Sequence, residues 1–158
     1  MGEYIREIRR WVGHRPVMQC GASVIVENER GEVLLEKRAD TGDWAYIGGA
    51  VELYERTEDA AARELAEETG LIAEELSLLG VYSGEKMRFE YPNGDQVSNI
   101  DVVYVCRSYR GTLQPQETEV TCLRFFAPEA LPLPFFPPNQ PAMIAYLHTR
   151  NINDPRFL

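Results

Sequence analysis

The sequence lacks any long apolar run. None of its apolar stretches approaches the ~20 residues that span a bilayer, and one of the longer ones covers only residues 23–26. The N-terminal segment MGEYIREIRRWVG also lacks the uninterrupted apolar stretch of a secretory signal. We therefore expect a protein that does not associate with a membrane.

Cysteine and histidine are scarce as well. The only cysteines are Cys20, Cys106 and Cys122, and they form no CxxC pair, which favours buried free thiols over a metal or redox centre. Reduced thiols in turn predict a cytoplasmic protein. The only histidines are His14 and His148. Since neither is close in sequence to the acidic segment described below, that segment does not predict a zinc site.

Basic residues are fewer than acidic ones. The chain has 16 Lys and Arg against 25 Asp and Glu, and its net charge is −9 at pH 7. Because this charge repels a phosphate backbone, we expect no binding to duplex nucleic acid, whereas it suits a protein that collects divalent cations. The 158 residues include 44% apolar side chains and no repeat or low-complexity linker. This composition predicts a single domain over 1–158 with a sizeable core.

Hydrophobic periodicity and turn residues predict strands interleaved with helices. An amphipathic N-terminal helix is expected within 1–13 and a C-terminal helix within 139–150. The pair Asn93-Gly94 marks a hairpin turn. This order of elements indicates a layered α/β or α+β domain with a mixed sheet. The predicted strands span 22–27, 32–37, 78–82, 86–91, 100–107 and 120–126.

A further helix is predicted over 58–69, with Thr57 as its N-cap and Gly70 directly after its end. At 100° per residue, one side of this helix is apolar and is expected to pack against a sheet. The residues on that side are Ala62, Leu65, Ala66 and Thr69.

The same helix carries three acids on another side. Glu64, Glu67 and Glu68 fall within an arc of about 100°. A hard cation such as Mg²⁺ prefers several oxygen ligands, so this group of carboxylates is suited to hold it. The alternative is an acidic face that only contacts solvent.

The segment 49–71 carries a family signature. It reads Gly49-x5-Glu55-x7-Arg63-Glu64-Leu65-x-Glu67-Glu68-x-Gly70-Leu71, and it resembles the Nudix box of the Nudix hydrolases at all nine defining positions. Flanking features are also similar to the family, namely the strand residues 34–38, Trp44 before the glycines and the late Phe125-Phe126 pair. Two positions depart from the usual pattern: Ile47 stands where Pro is usual, and Tyr54 where Gly is frequent.

The resemblance implies a Nudix-type α/β/α sandwich and a metal-dependent pyrophosphohydrolase. Water would attack a phosphorus atom of a nucleoside diphosphate linked to another group, releasing a nucleoside monophosphate and the phosphorylated group. By the family pattern, Glu64, Glu67 and Glu68 bind Mg²⁺, or Mn²⁺ in its place, with the carbonyl of Gly48 as an additional ligand. The implied partner is a small nucleotide whose linked group the sequence does not identify.

The resemblance also implies roles for other residues. Arg63 and Glu55 match the pair that orients the catalytic helix. The general base is either Glu64 or an acid outside the box, for which Glu119 is the candidate. Side chains that could contact the substrate, rather than pack in the sheet, are Arg38, Trp44, Tyr46, Tyr82 and Tyr91.

Other interpretations stay open. A Nudix-fold binding module without activity would be expected to lose one of the metal-bearing glutamates, which this chain keeps. A plain acidic domain would not require Arg63 and Glu55. The N-terminal helix presents Arg6, Arg9 and Arg10, either to solvent or to a second subunit in a homodimer.

Overall fold

The computed structural model describes residues 2–116 and 118–157. None of the helices in these ranges is long and apolar enough to cross a membrane. Short 3₁₀ turns lie at Glu85–Met87, Pro128–Ala130, Pro137–Asn139 and Pro155–Phe157. In chain order the helices and strands are α1 (Glu3–Val12), β1 (Val17–Val26), β2 (Val33–Arg38), β3 (Trp44–Ala45), β4 (Ile47–Ala50), α2 (Thr57–Thr69), β5 (Leu71–Tyr82), β6 (Arg88–Glu90), β7 (Gln96–Gly111), β8 (Val120–Phe126) and α3 (Gln140–Thr149).

Two sheets form the centre of the fold. In the first, the strand order is β4-β1-β7-β5, and β6 pairs with β7. The strands β1 and β7 run parallel, with Val17 opposite Val97, and the other pairs are antiparallel. The strands β3, β2 and β8 form the second sheet, which is antiparallel. The prediction of a mixed sheet is confirmed.

Each face of the central sheet is covered by one helix, as the alternating side chains of β1 and β7 show. Val24 of β1 and Tyr104 of β7 belong to the core cluster that includes residues of α2. Their neighbours Ile25 and Val103 point the other way and belong to the cluster that includes residues of α3. Because successive strand residues face opposite sides of a sheet, the two helices cover the two faces. The expected α/β/α sandwich is confirmed.

The strand β5 begins earlier than predicted. It starts at Leu71 rather than at residue 78, and its pairing with β7 shifts register three times. The strand β5 lies at the edge of its sheet. In its first half, the consecutive residues Glu74 and Glu75 are both exposed to solvent. The shifts and the exposed acids hide the period of two on which the prediction relied. The hairpin turn at Asn93-Gly94 is confirmed, because β6 and β7 flank it as an antiparallel pair.

The packed face of α2 overlaps only in part with the predicted one, since Leu65 and Thr69 are buried as expected but Ala62 is only partly buried. Its N-cap is Arg56, while Thr57 lies inside the helix with its hydroxyl 2.7 Å from that of Tyr104. Ala66, which was expected on the packed side, is exposed. The helix is rotated so that small side chains meet the sheet, and an acid is buried with them. Its buried residues are Ala60, Ala61, Leu65, Glu68 and Thr69.

The helix α1 is held to the rest of the fold at both ends. The carboxylate of Glu52 accepts hydrogen bonds from the backbone N–H groups of its first two residues, at 2.5 and 3.0 Å. Arg9 donates to the carbonyl of Gln96 at 2.6 Å. Arg9 is therefore not part of a solvated basic face, whereas Arg6 and Arg10 are exposed.

All three cysteines are free thiols. Cys106 is buried, as expected, but Cys20 is exposed. The expectation is wrong for Cys20 because the first half of β1 alternates between exposed and partly covered residues, and only its second half is buried throughout.

Candidate active site

The site begins at the glycine pair of β4. This strand runs between β1 and α2, and a Cβ added at Gly48 would lie 2.2 Å from Oγ of Ser23. A Cβ at Gly49 would lie 2.4 Å from Cδ of Glu64. Neither distance can accommodate a side chain. The two glycines therefore allow β1 to pass on one side and the carboxylate of Glu64 to reach the backbone on the other.

Arg63 connects α2 to the loop that precedes it. Its Nε and Nη2 donate to the two oxygens of Glu55 at 2.8 and 3.0 Å, and Nη2 also donates to the carbonyl of Ala50 at 3.1 Å. Its Nη1 donates to Oε1 of Glu64 at 2.6 Å. Hydrogen bonds from Arg63 lower the pKa of Glu55. Such two-point charge-assisted pairing fixes both the loop and the start of the acidic segment.

The loop before α2 contains a strained residue. Tyr54 has a φ of 65°, and its side chain is fully exposed. A left-handed conformation favours glycine because a Cβ collides with the following carbonyl. This backbone conformation explains why Gly is frequent at this position, from which the chain departs.

We expect Tyr54→Gly to stabilise the protein by about 0.5–1 kcal/mol. Relief of the left-handed strain exceeds the extra backbone entropy that glycine loses on folding, and no packed contact is lost. Urea unfolding of the two proteins measures the difference. Leu53→Gly is the matched control, because Leu53 is also exposed but has no positive φ to relieve. A loss of stability in Tyr54→Gly equal to that in the control would contradict the explanation.

The three acids of α2 lie at one cleft but at different depths. Glu68 is only 5% exposed, and it accepts a hydrogen bond from the backbone N–H of Gly48 at 3.3 Å. Burial and the neighbouring charges of Glu36 and Glu64 raise the pKa of Glu68 well above its usual range. Glu64 is partly buried, and burial raises its pKa although Arg63 opposes the shift. The third acid, Glu67, stands at the rim with 55% of its side chain exposed.

Two cavities meet at these acids. One, of about 440 Å³, is lined by Gly48, Gly49, Glu64 and Glu68 on the α2 side. The other, of about 580 Å³, lies between α2 and the start of α1, and Glu67 is among its lining residues. Glu64, Glu68 and Glu119 line both cavities.

Two acids outside the box join this group. Glu119 lies just before β8, and its charge raises the pKa of both Glu36 and Glu68. Glu36, on β2, is 3% exposed and was not singled out from the sequence. Burial raises its pKa to about 7. Glu36 could have been identified in the sequence as an acid that directly follows the apolar residues 33–35. Both faces of the strand are buried there.

The acids are close together but not arranged as a finished metal site. Within residues 2–116 and 118–157, no three His, Cys, Asp or Glu side chains are already placed to hold a metal ion. Arg63 occupies Oε1 of Glu64, and Glu68 faces the N–H of Gly48. Small side-chain rotations about this cleft would be needed to gather the oxygens around one ion.

Arg38 and Tyr91 line the 440 Å³ cavity. The guanidinium of Arg38 donates two hydrogen bonds to Asp40, at 2.9 and 2.6 Å, and lies 4.4 Å from the ring centre of Phe136. Trp44 and Tyr82 do not occur among the described residues that line these cavities. They pack against the core under α3 instead.

Tyr46 is buried and takes part in a polar network that sequence analysis missed. Its hydroxyl donates to Asp101 at 3.1 Å, and Oγ of Ser23 donates to the same carboxylate at 2.8 Å. Burial raises the pKa of Asp101. A small recess of about 70 Å³ beside this network also contains Asn99 and Asn139. Asp101 interrupts the Val-rich strand β7, which is the signal that could have identified it.

Comparison with known proteins agrees with this geometry. The family model described as NUDIX domain matches residues 18–147. A putative 8-oxo-dGTP diphosphatase of Bacillus subtilis (strain 168) is 36% identical over 124 residues, which are 78% of this chain and 76% of that protein. An ADP-ribose pyrophosphatase of Methanocaldococcus jannaschii is 33% identical over 133 residues, covering 82% of this chain and 68% of that protein.

Among solved structures, a MutT NUDIX hydrolase from Burkholderia pseudomallei superimposes with a TM-score of 0.69 at 27% identity, covering 80% of this chain and 96% of that one. The NUDIX domain of Shewanella oneidensis NrtR, at 16% identity, has the same TM-score of 0.69 and shows a shared fold. Since the family model spans most of the chain and the relatives are matched over more than two thirds of their length, the chain belongs to the NUDIX family and is a Nudix hydrolase.

Proposed function

We propose that the chain is a single-domain, Mg²⁺-dependent hydrolase of nucleoside diphosphates linked to another group. The observation that carries this proposal is the burial of Glu68 next to Glu36 and Glu64 at the floor of a cleft. Several carboxylates that raise one another's pKa are costly to keep together in a protein without a cation. A divalent cation offsets that cost, and hard oxygen ligands of this kind suit Mg²⁺ or Mn²⁺.

We assign the metal to Glu64, Glu67 and Glu68, with the carbonyl of Gly48 as a further ligand. The absence of side chains at residues 48 and 49 supports this assignment, because the backbone can approach whatever the acids hold. Arg63 binds Oε1 of Glu64, which leaves Oε2 to hold the cation or, if Glu64 is the base, to accept a proton. When bound, Mg²⁺ would neutralise the charge of the diphosphate and act as a Lewis acid at its oxygens.

The residues of the chain then position water and accept its proton. A new P–O bond forms between water and one phosphorus, the bridging P–O bond breaks, and the bridging oxygen leaves with the other phosphoryl group. Glu64 or Glu119 takes the proton released by the attacking water. Arg63 and Glu55 act as positioning residues, since their two-point pair holds Glu64 at the cleft.

The relatives and the cavity together support the proposed substrate class. The two relatives described above are named for activities on 8-oxo-dGTP and ADP-ribose, both of which contain a diphosphate linkage and a nucleoside. A cavity of about 440 Å³ lies within the ~300–1,000 Å³ of small-molecule sites. Arg38 and Tyr91 are our candidates for contacts to the nucleotide.

A substrate panel tests the proposal. The protein is incubated with nucleoside triphosphates, nucleotide sugars, dinucleoside polyphosphates and dinucleotides, with Mg²⁺ or with excess EDTA. We expect metal-dependent release of a nucleoside monophosphate from at least one class, and ¹⁸O-labelled water identifies the attacked phosphorus. If no member of the panel is turned over, the chain is better described as a binding module of the same fold.

A further inference from the structure

Glu36 is a charged residue in the buried, otherwise apolar first part of β2. It follows Leu34 and Leu35 on β2, and all three are buried. By the alternation of the strand, Glu36 shares a face with Leu34, which belongs to the core cluster of α2. The side chain therefore points toward the acids of α2 rather than toward solvent.

The carboxyl group of Glu36 is hydrogen-bonded to that of Glu68, another acid, so the two groups are in direct contact. Oε2 of Glu36 is buried and has no hydrogen-bond partner. The other charges that act on Glu36 are those of the acids Glu119 and Asp40 and of one base, Arg38. Arg38 is already bound by both oxygens of Asp40.

A buried oxygen without a partner is rare in folded proteins, because it loses its hydrogen bonds to water without replacing them. This oxygen belongs to a residue that lines the 440 Å³ cavity together with Glu68. The cavity thus contains an excess of carboxylate oxygens beyond those that the Nudix box supplies. Glu36 places part of this excess on the β2 side of the cleft, whereas Glu67 lines the neighbouring cavity.

We propose that Glu36 is a ligand of a second divalent cation, which it shares with Glu68 on the β2 side of the cleft. The proposal rests on the proposed function, in which Glu64, Glu67 and Glu68 hold a first cation. Glu68 is hydrogen-bonded to Glu36 and is also acted on by the charge of Glu64, so its two carboxylate oxygens can serve both ions of a paired-metal phosphoryl-transfer site. Glu36 is thereby assigned to the metal centre although it lies outside the box.

Mn²⁺ binding to the metal-free protein tests this assignment. Free Mn²⁺ is followed by electron paramagnetic resonance during titration of the wild type, Glu36→Gln and the control Glu75→Gln, which removes an exposed acid of β5. We expect Glu36→Gln to lose one Mn²⁺ per chain, or to bind it at least about tenfold more weakly. The control should match the wild type.

Two further measurements keep the outcome unambiguous. Glu36→Met, an apolar side chain of similar length, should lose the same Mn²⁺, and the metal-free Tm of both Glu36 variants should equal or exceed that of the wild type. If the variants bind Mn²⁺ like the wild type, while the wild type hydrolyses a nucleotide, this assignment alone is overturned. If the wild type binds no Mn²⁺ and turns over no substrate, the proposed function itself fails.

Discussion

Glu68→Gln is expected to lower the kcat of Mg²⁺-dependent nucleotide hydrolysis by about 10²–10³-fold, the size of effect seen when one preorganised electrostatic group is removed from an active site. Glutamine keeps the shape of the side chain and can still accept the N–H of Gly48. It has no anionic oxygen to offer a cation. Steady-state kinetics at saturating Mg²⁺ measure the loss.

The same substitution should raise the Tm of the metal-free protein. The pKa of Glu68 is raised by burial and by neighbouring acids, so its contribution favours the folded state below the ordinary carboxyl pKa of about 4.3 and is lost as pH rises through the folded value. The advantage of the variant should therefore grow with pH. Asp59→Asn, an exposed acid in the first turn of the same helix, is the control for activity. A variant that is both inactive and less stable would indicate a structural role instead.

Arg63→Ala is expected to lower the free energy of unfolding by about 2 kcal/mol, because the variant loses several charge-assisted hydrogen bonds at a partly buried site. The substitution leaves Glu55 without its two-point partner and frees the carboxylate of Glu64. We expect kcat to fall at least about tenfold as well, because a ligand loses its orienting group. Arg63→Lys should recover only part of both losses, since an ammonium cannot bond to Glu55 in two-point geometry.

The pH dependence of this stability difference identifies its cause. Hydrogen bonds from Arg63 lower the pKa of Glu55. That shift stabilises the folded state above the unfolded carboxyl pKa of about 4.3, and the contribution is lost as pH falls through the folded value. Urea unfolding should show the full difference at pH 7 and a smaller one below about pH 4. Arg56→Ala, whose side chain is 74% exposed, should change stability by less than about 0.5 kcal/mol. A difference that does not depend on pH would contradict this account.

The sequence was sufficient to predict the elements whose signals are local. The end of α2 at Gly70 is one example, because a left-handed residue after a helix strongly favours glycine, and Gly70 has a φ of 74°. The turn at Asn93-Gly94 and the layered α/β order rest on equally local rules. The Nudix box was recognisable because its spacing places Arg63, Glu64 and Glu68 within two turns of one helix.

The orientation of α2 could not be predicted from periodicity. Its packed face includes Glu68 and excludes Ala66, which contradicts a simple separation of apolar and acidic sides. The reason is tertiary: the backbone at Gly48 and Gly49 approaches the helix so closely that an acid, and not an apolar side chain, meets it. A helical wheel contains no information about what lies opposite.

Residues far apart in the chain were missed for a related reason. Glu36 meets Glu68 of α2 only because β2 packs beside β1 and β4, the strands that α2 covers. Asp101 meets Tyr46 only because β7 and β4 flank β1. Each is a charged residue inside an apolar strand, which local propensity treats as an interruption. Trp44 and Tyr82, which are predicted as substrate contacts, pack against the core, because aromatic side chains also pack well on a sheet.

The parallel pairing of β1 with β7 determines when this protein can acquire its structure during synthesis. Val17 pairs with Val97, and Val26 with Cys106. The ribosome must therefore synthesise most of the chain before β1 can pair with β7, although its other neighbour, β4, is available much earlier. Until then a nascent chain exposes β1 with an open edge, a state that is slow to resolve and prone to self-association. Products that terminate prematurely before β7 should therefore accumulate as aggregates rather than as smaller folded proteins.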